Sequence, residues 1–535
     1  MEGGGREAGR AGVCGRWTGA LCLSPGRTQR EGREGGGLAA RLGGGLAAAG
    51  LAAQAGWSRE TNAAEAWDLI IVGGGTAGLP AAIFGARRGA KVLIIEASLQ
   101  IGGTLFLSTG QMSAAGTRLQ KEKGIQDSAQ LHFDDVLRIS RRTVRPELVR
   151  LAVDNAATTF DWLMENGLKP LPEHPILGAA HEPYSERRYA WGPEGGMSIL
   201  EAIEPLVLAE EKKGSLTIKR GLRARELLQR GGAVVGVRAE IDSGQMLDFE
   251  GRTVLLASGG YASNPKMFYD LSGYKQYGNA SYPYSQGDGY TMALAVGGFT
   301  RGKENYICGS PRIMASTDEP AVPETRWILF PERRQPWEIQ VNARGQRYVA
   351  EDNPSVDERE KALVQQHDMR TWLVFDQAIF DAAPLGIEGW DKTRLIEAFK
   401  SHPVFYKADT LAELSAKSGV DAAGLQATLA RYNSAQAKGV DTDFARKHMP
   451  LPIQKAPFYA VRQQGMSVSS TVGIGVDEKL RVIRSGGMPI NGLYAAGEIL
   501  GSGQLMGKSA VGGMMVTPAL TFGRLLGQSM LPLRA

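Results

Sequence analysis

A glycine-rich turn between two short apolar runs is the feature that most constrains how this chain can fold. The run Asp68–Val72 (DLIIV) predicts a buried strand, and the turn Gly73–Gly78 (GGGTAG) follows it directly. The small residues from Leu79 to Gly89 predict a helix, and Lys91–Glu96 (KVLIIE) predicts a second buried strand. A strand, a helix and a strand in this order predict a parallel βαβ unit.

The spacing within this unit predicts a dinucleotide site. Gly73 permits the tight turn, Gly75 lets backbone N–H groups approach a pyrophosphate, and Gly78 lets the helix pack closely on the strand. Ala77 lies in the same turn, and Glu96, eighteen residues after Gly78, can accept hydrogen bonds from ribose hydroxyls. The helix N-terminus favours an anion. The motif alone leaves FAD and NAD open, but a single unit of this kind disfavours a flavin enzyme with a separate NAD domain.

Composition argues against several classes of function. Lys and Arg number 61 against 56 Asp and Glu, a net charge of +5, and no dense basic stripe predicts nucleic-acid binding. Cys308 is the only cysteine after residue 66, and the sequence contains no Cys/His cluster that would predict a metal or an attached haem. This cysteine usage favours a reducing compartment. We therefore expect a cytoplasmic location, with export as the alternative.

The first 66 residues differ in composition from the rest of the chain. Sixteen of the 70 glycines fall within the first fifty residues. The stretch Leu42–Ala55 is mildly apolar, but it is too short and too rich in glycine to span a bilayer. The sequence predicts a disordered or targeting-like tail over residues 1–66 and no transmembrane segment.

Patterns further along predict how the remaining chain is divided. Residues 127–166 have helical periodicity, and Leu222–Gly251 alternates like an antiparallel meander that leads into the strand Thr253–Ala257. Sequence richer in Trp, Pro and charge from about Tyr306 to Ala460 predicts an inserted domain, after which strand patterns return at 473–476 and 492–496. The predicted boundaries are 67–304, 305–462 and 463–535.

Six motifs follow one another over roughly residues 67–530. They are 72–98, Gly102–Gly110, Val254–Gly260, Gly287–Gly289, Val341–Val349 and Gly492–Glu498. In this order they resemble the fumarate reductase/succinate dehydrogenase flavoprotein superfamily, which includes 3-ketosteroid and tricarballylate dehydrogenases. The resemblance implies an α/β fold, in which a discontinuous Rossmann-type FAD-binding domain is built from both ends of the chain. An α+β cap domain would be inserted, with the substrate at the domain junction.

The resemblance also implies FAD as the cofactor and a set of residues around it. Gly73, Gly75, Gly78 and Glu96 would hold its ADP half, and Glu498 would bond the ribityl chain. Residues 510–513 would lie along the pyrimidine edge. No histidine occurs between Leu99 and Leu131, where some members attach FAD, so non-covalent binding is expected. The other positions implied near the cofactor are Ala77, Gly103, Thr104, Gly110, Gly259, Val511 and Gly512.

Members of this superfamily move a hydride between flavin N5 and a carbon near an activating carbonyl, while a protein group moves a proton. Fumarate reductases use arginines and histidines for the proton and the substrate carboxylates. Ser355, Ser470 and Ala510 stand at three of those positions here, and no HPT triplet occurs. Each lost charge-assisted bond is worth about 1.5–3 kcal/mol, so fumarate and succinate are not expected substrates.

Three residues remain as candidates for catalysis. Arg334 lies eight positions before Asn342, where fumarate reductases keep a proton-relay arginine, and the alternative is a solvated charged loop. Tyr348 could face the flavin cleft or pack in the interior. Lys508, in the loop near the flavin, could contact a substrate anion. Three histidines without motif context are expected at the surface: His181, His367 and His448.

The sequence thus predicts an FAD-dependent dehydrogenase or ene-reductase that acts on an activated C–C bond of a small molecule. Its electron donor or acceptor is not identified. Two alternatives stay open. One is an enzyme like 3-ketosteroid dehydrogenase, whose apolar pocket would include Ala510, Val511, Met514 and Met515. The other is a flavin-binding protein whose catalytic group has decayed.

Overall fold

A computed structural model describes residues 67–533 except 279 and 468, so the predicted tail lies outside the described residues. Short buried strands form where apolar and β-branched residues follow one another, as in β1 (WDLIIV) and β2 (VLIIE). In chain order the strands of the described part are β1 Trp67–Val72, β2 Val92–Glu96, β3 Met112–Ser113, β4 Tyr189–Ala190, β5 Leu216–Arg220, β6 Arg223–Arg230, β7 Ala233–Glu240, β8 Met246–Leu256, β9 Thr300–Arg301, β10 Gly309–Met314, β11 Pro323–Thr325, β12 Ile339–Val341, β13 Arg370–Asp376, β14 Phe405–Ala408, β15 Phe458–Met466, β16 Gly473–Ile474, β17 Arg481–Ile483 and β18 Pro489–Ala495.

The larger sheet has the order β17-β18-β8-β1-β2-β5, with β7 attached to β8 and β6 to β7. The strands β18, β8, β1, β2 and β5 run parallel, and Leu69 lies opposite Val92 in the β1–β2 pair. The chain therefore forms the parallel βαβ unit that the first motif predicts. Because β18 pairs with β8, the two ends of the described chain meet in one sheet.

Strand β8 belongs to two kinds of pairing at once. Its first half pairs antiparallel with β7, from Gly236↔Glu250 to Glu240↔Met246. Its second half pairs parallel with β1 and β18. The predicted meander is present, but the predicted strand at 253–257 is not separate from it, since one continuous strand serves both pairings.

The helices pack on the faces of this sheet and around it. In chain order the α-helices of the described residues are α1 Gly78–Arg87, α2 Arg118–Glu122, α3 Ala129–Ile139, α4 Pro146–Glu165, α5 Gly196–Lys212, α6 Pro265–Ser272, α7 Asp288–Ala295, α8 Val356–Val364, α9 Gln377–Ala382, α10 Lys392–Ser401, α11 Leu411–Ser418, α12 Ala422–Lys438, α13 Ser502–Leu505 and α14 Val516–Leu525.

The helical segment predicted at 127–166 is divided into α3 and α4. Arg141 and Arg142 between them have φ angles of 57° and 58°, which lie in the left-handed region. Pro146 then occupies the first turn of α4, where its missing N–H costs nothing. Periodicity continues across this break because both helices bury an apolar face on the same core.

A second, antiparallel sheet is formed by β11-β10-β15-β13-β12, with β14 on β15. Its own hydrophobic core contains buried residues between Ile313 and Val461, including Trp327, Phe375 and Tyr459. This core is distinct from the core of the larger sheet. The range agrees with the inserted segment predicted from composition, whose boundaries stay a prediction.

A buried ionic network fixes the loop that precedes α8. The Glu351 carboxylate accepts two hydrogen bonds from Arg347, at 2.9 and 2.7 Å, and pairs with Arg446 at 3.1 Å. Asp441 pairs with Arg347 at 3.0 Å. All four side chains are at most 3% exposed. Removing one member therefore leaves buried charges without compensation.

We expect Glu351→Gln to lower the free energy of unfolding by about 3–5 kcal/mol, because two buried guanidinium groups lose their shared carboxylate. Urea denaturation followed by tryptophan fluorescence would measure the change. Glu226→Gln is the matched control, since Glu226 is 57% exposed and its pair with Arg238 is worth about 0–1 kcal/mol. Equal losses in both variants would contradict the structural role of the network.

Candidate active site

The turn between β1 and α1 brings the chain into close contact with itself at two glycines. Gly73 has a φ angle of +102°, and a Cβ there would lie 2.5 Å from the carbonyl oxygen of Ala257. A Cβ on Gly78 would lie 2.0 Å from the carbonyl oxygen of Gly73. Only glycine fits either position, so α1 starts directly above the end of β1.

Gly75, in the same turn, is less tightly enclosed. A Cβ there would have its nearest neighbour, Gly103 Cα, at 3.8 Å. Gly103 itself has a φ angle of +55° and begins a short 3₁₀ segment that contains Thr104. The two predicted cofactor segments around 75 and 103 therefore lie side by side, with backbone accessible between them.

Glu96 ends β2 beside this turn and is buried, at 5% exposure. Its Oε2 accepts a hydrogen bond from Gly74 N at 2.7 Å, and its Oε1 accepts one from Ser98 N at 2.8 Å. Burial raises the pKa of the carboxyl group in spite of these bonds. The acid is thus held where a ribose beside the turn could donate to its remaining lone pairs.

Residues from the end of the chain complete this region. A Cβ on Gly497 would lie 3.1 Å from the Ala77 side chain. Glu498 is half-buried, and its Oε1 accepts a hydrogen bond from Ser470 N at 2.9 Å. Burial raises the pKa of Glu498, and the bond from Ser470 opposes that rise. Gly259 has a φ angle of +74°, with no atom closer than 3.8 Å to its Cβ position.

The other predicted flavin positions are more tightly enclosed. A Cβ on Gly110 would lie 2.3 Å from the backbone of Gly195, and one on Gly512 would lie 3.0 Å from the Tyr189 ring. The Tyr184 hydroxyl donates to the Gly512 carbonyl. Val511 is buried in the larger core, at 1% exposure. These positions are close-packed.

FAD fits the region on two observations. At Gly75 and Gly259 a Cβ would meet no atom closer than 3.8 Å, and glycine keeps the backbone there free of a side chain. Two buried serine hydroxyls, Ser258 Oγ and Ser509 Oγ, have no hydrogen-bond partner among the described residues. Buried polar atoms are normally paired, so these donors are suited to a polar ligand. Both lie in segments implied to surround a flavin.

The three predicted catalytic residues lie in different surroundings. Arg334 donates to both oxygens of Glu338, at 3.0 and 2.6 Å, and to the Pro384 carbonyl at 2.9 Å. Its side chain is 5% exposed, so the alternative of a solvated loop is wrong, and the observed pairing is structural. Lys508 is exposed, and its backbone N–H donates to Thr143 Oγ1 at 2.9 Å.

Tyr348 lines a small cleft that is open in part to solvent. Burial raises the pKa of its hydroxyl well above the ordinary range. The cleft is lined by both apolar and charged side chains. The charged and polar lining residues are Ser310, Arg312, Arg326, Gln340, Tyr348, Arg359 and Glu360.

Two arginines of the cleft carry unpaired donors. Arg312 Nη1, and both Nε and Nη2 of Arg359, are buried without a partner among the described residues. Burial lowers the pKa of both guanidinium groups. Arg326, by contrast, is neutralised by two bonds to Glu388, at 2.5 and 2.9 Å. Unpaired guanidinium donors of this kind make the cleft suited to an anion.

Helix α8 connects this cleft with the loop 509–513. Asp357 in its first turn accepts a hydrogen bond from Ala510 N at 3.2 Å, and its other oxygen accepts one from Glu182 N at 3.2 Å. Arg359 and Glu360, two and three residues further along the helix, line the cleft. His181 lies 3.4 Å from Asp357 and is 31% exposed. It is thus partly enclosed, unlike the fully surface-exposed His367 at 86%.

Sequence reasoning missed Arg312, Arg359, Asp357, Glu360 and the surroundings of His181. None of these residues stands at a motif position shared with the superfamily that the sequence resembles. The one signal in the sequence is the alternation of charges in Asp357–Glu360 (DERE), which is equally typical of a solvated helix face. Only the tertiary fold brings these side chains to one cleft.

These features together are typical of a nucleotide-binding enzyme that also has a polar cleft. The FAD binding domain family matches residues 68–513, and the chain belongs to this family. It is an FAD-dependent enzyme of the dehydrogenase and reductase class that acts on CH–CH groups. The resemblance and the cofactor predicted from the sequence are confirmed.

Named relatives agree with this class. The chain is 29% identical over 463 residues to a fumarate reductase (cytochrome) of Shewanella frigidimarina, covering 86% of this chain and 76% of the relative. It is 28% identical over 484 residues to a urocanate reductase of Eggerthella lenta, covering 86% and 74%. Its fold matches 3-ketosteroid Δ1-dehydrogenase from Sterolibacterium denitrificans with a TM-score of 0.67 at 21% identity, covering 88% and 100%. Among the described residues, no helix is long and apolar enough to cross a membrane.

We expect Glu96→Gln to weaken FAD binding about 10- to 100-fold, because a charge-assisted bond to a hydroxyl is worth about 1.5–3 kcal/mol. Titration of the apoprotein with FAD, followed by flavin fluorescence, measures the dissociation constant. Glu250→Gln, at a 54% exposed side chain, serves as the control. Unchanged affinity in Glu96→Gln would remove Glu96 from the cofactor site.

Proposed function

We propose that this protein moves a hydride between flavin N5 and an activated C–C bond of a small unsaturated or saturated acid. The observation that carries the proposal is the pair of half-buried arginines, Arg312 and Arg359, whose buried and unpaired guanidinium nitrogens lie at the cleft. A carboxylate conjugated with the reacting bond would satisfy these donors. It would also activate that bond for hydride transfer.

The charge balance of the cleft supports an anionic substrate. Arg312 and Arg359 are desolvated, and desolvation of an unpaired cation is unfavourable until an anion binds. The carboxylate at Glu360 does not offset them fully, because burial raises its pKa. Binding of a carboxylate therefore contributes both charge pairing and hydrogen bonds.

The positions that fumarate reductases would use for a second carboxylate do not offer a cation here. Ser470 is fully buried, and its hydroxyl accepts a hydrogen bond from Tyr261 N at 2.8 Å. Ala510 has no charged group. One carboxylate at Arg312 and Arg359 is therefore the better fit, and we propose a monocarboxylic acid rather than fumarate or succinate.

The architecture supports the same arrangement. We propose that the larger sheet and the antiparallel sheet correspond to a discontinuous Rossmann-type FAD-binding domain and an inserted cap, with boundaries near 305 and 462. Glu96 and the glycines near 75 and 103 would hold FAD, and the loop 509–513 would lie along the flavin. Bound FAD supplies or accepts the hydride. We further propose that it is held without a covalent bond.

The residues of the chain would bind and orient the substrate. Arg312 on β10 and Arg359 on α8 would fix the carboxylate. Tyr348 and the apolar side chains of the cleft would exclude water from the reacting bond. Lys508, being exposed, would at most attract an anion toward the site. Arg334 would stabilise the fold and not contact the substrate, since Glu338 and the Pro384 carbonyl occupy its donors.

An enzyme that acts on an uncharged ketosteroid is less well supported. Its expected apolar pocket included Val511 and Met514, but both side chains are buried in the larger core, at 1% and 0% exposure. They pack against the sheet and are not free to line a pocket. The described cleft presents arginines in their place.

The test of substrate class is anaerobic reoxidation of the photoreduced holoenzyme. We expect acrylate or urocanate, each with one carboxylate, to restore the oxidised flavin spectrum. We expect 4-androstene-3,17-dione, added to the oxidised enzyme, to leave the flavin unbleached. Saturated acids are tested in the opposite direction, by bleaching of the oxidised enzyme. Reaction with the steroid alone would overturn the assignment. Reaction with none of the compounds would favour the decayed flavoprotein.

We expect Arg359→Gln and Arg312→Gln each to lower kcat/KM for the accepted acid about 10- to 100-fold, from the loss of about 1.5–3 kcal/mol of charge-assisted bonding. Steady-state kinetics with the accepted acid measures this loss. Arg394→Gln is the matched control, because Arg394 is 53% exposed and pairs with Glu324 on the surface. Equal kinetics in all three variants would remove the arginines from the substrate site.

A further inference from the structure

Three titratable side chains meet beside the cleft, outside the predicted cofactor region. His181 comes from the segment between α4 and β4, whereas Asp357 and Glu360 lie three residues apart on α8. One ligand-type atom from each lies within 4.8 Å of the others. Three residues on one turn of a helix and a facing loop can exchange protons if at least one member reaches solvent and another reaches the substrate.

Glu360 and His181 differ in solvent exposure, as a proton path from the cleft to water requires. Glu360 is 6% exposed and lines the cleft. His181 is 31% exposed and stands on the solvent side of the cluster. We propose that Glu360 exchanges the substrate proton in the cleft and that His181 carries this proton between Glu360 and water.

Asp357 has a positioning role in this arrangement. Its two oxygens accept hydrogen bonds from the backbone N–H groups of Glu182 and Ala510, each at 3.2 Å. The same carboxylate lies 3.4 Å from Nδ1 of His181. It therefore fixes the imidazole next to Glu360 without itself reaching the cleft.

The electrostatics of the cluster agree with this geometry. Burial raises the pKa of Glu360, and the His181 and Ser310 interactions lower it in part. Burial alone would lower the pKa of His181, but the nearby carboxylates of Asp357 and Glu360 raise it. Both pKa values are thus raised from their ordinary values, and each group is influenced by the charge of the other. The groups that face Glu360 are His181, Asp357, Arg359, Arg312, Ser310 and Cys308.

A bound metal ion is a less suitable occupant of this cluster. The oxygens of Asp357 already accept two N–H bonds, and Glu360 Oε1 accepts the Ser310 hydroxyl at 2.7 Å. The guanidinium of Arg359 stands near Glu360 and would repel a cation. The cluster is therefore better suited to protons than to a divalent ion.

The proposed step rests on the proposed function and balances in both directions. In reduction, the C=C π bond breaks as hydride from the reduced flavin bonds to one carbon, while the proton of the Glu360 carboxyl bonds to the other. The Glu360 carboxylate then takes a proton from the His181 imidazolium, and His181 takes one from water. In dehydrogenation the same proton leaves through Glu360 and His181 to water, and the hydride goes to oxidised FAD.

The first arm of the test needs no substrate. The chain has six histidines, so the holoenzyme labelled with ¹⁵N-histidine gives few ring signals, and His181→Gln assigns one of them. We expect the midpoint of His181 titration to fall in Glu360→Gln, because a facing negative charge is lost. Glu358 lies two residues before Glu360 on α8, and its side chain is 48% exposed. Glu358→Gln should therefore leave the His181 midpoint unchanged. A midpoint that is indifferent to Glu360→Gln overturns the relay.

The second arm uses the acid among acrylate and urocanate that reoxidises the photoreduced enzyme faster. We expect Glu360→Ala to slow reoxidation by about 10²- to 10⁴-fold and added formate to restore part of the rate. His181→Ala should slow it less and respond to imidazole, and Glu358→Gln should match the parent enzyme. A retained rate, or a loss in Glu360→Ala that formate does not restore, overturns the proposal.

The two arms separate this proposal from the proposed function. If neither acid reoxidises the flavin, the substrate assignment fails, whereas the His181 titration still supports or overturns the coupling to Glu360. An unchanged flavin absorbance spectrum in each variant shows that loss of rate does not come from loss of the fold.

Discussion

The active region depends on one carboxylate that joins three distant parts of the chain. Asp357 accepts hydrogen bonds from Glu182 N and Ala510 N and lies beside His181. Residues separated by more than 300 positions are held together by charge-assisted bonds that are largely buried. Because the same helix turn leads into Arg359 and Glu360, the position of the cleft follows from this anchor. Burial opposes ionisation of Asp357, but its bonding with His181 and with the two backbone donors keeps its pKa below the ordinary value.

The sequence predicted those parts of the fold whose cause is local. The strands around 67–72 and 92–96 follow from unbroken β-branched runs, and the glycines at 73 and 78 follow from backbone contacts that exclude a side chain. The break between α3 and α4 was not predicted, because the apolar periodicity continues through it. The continuity of β8 was also missed, since its pairing partner changes from β7 to β1 and β18 only in the assembled sheet.

Some residues of the candidate site have a local sequence signal, and others are brought together only by the tertiary fold. Glu96 and the glycines around 75 could be singled out because a nucleotide-binding turn is a local device. The arginines of the cleft could not, since Arg312 lies on β10 and Arg359 on α8, and neither has a neighbour in sequence that marks it. Arg334 and Arg359 illustrate why residue type is insufficient. Both are enclosed arginines, but Glu338 saturates the first, and part of the second has no partner among the described residues.

The double pairing of β8 has a consequence for how the molecule tolerates change. The hairpin turn between β6 and β7, at Gly231 and Gly232, is exposed and has no neighbour within 4 Å of either Cβ position. The parallel half of β8 is held separately by β1 and β18, on both of its edges. Insertions at the hairpin would therefore lengthen an outer ribbon without shifting the register at Val254–Leu256. The fold can acquire new surface there, while the carboxyl end of the parallel strands keeps its geometry.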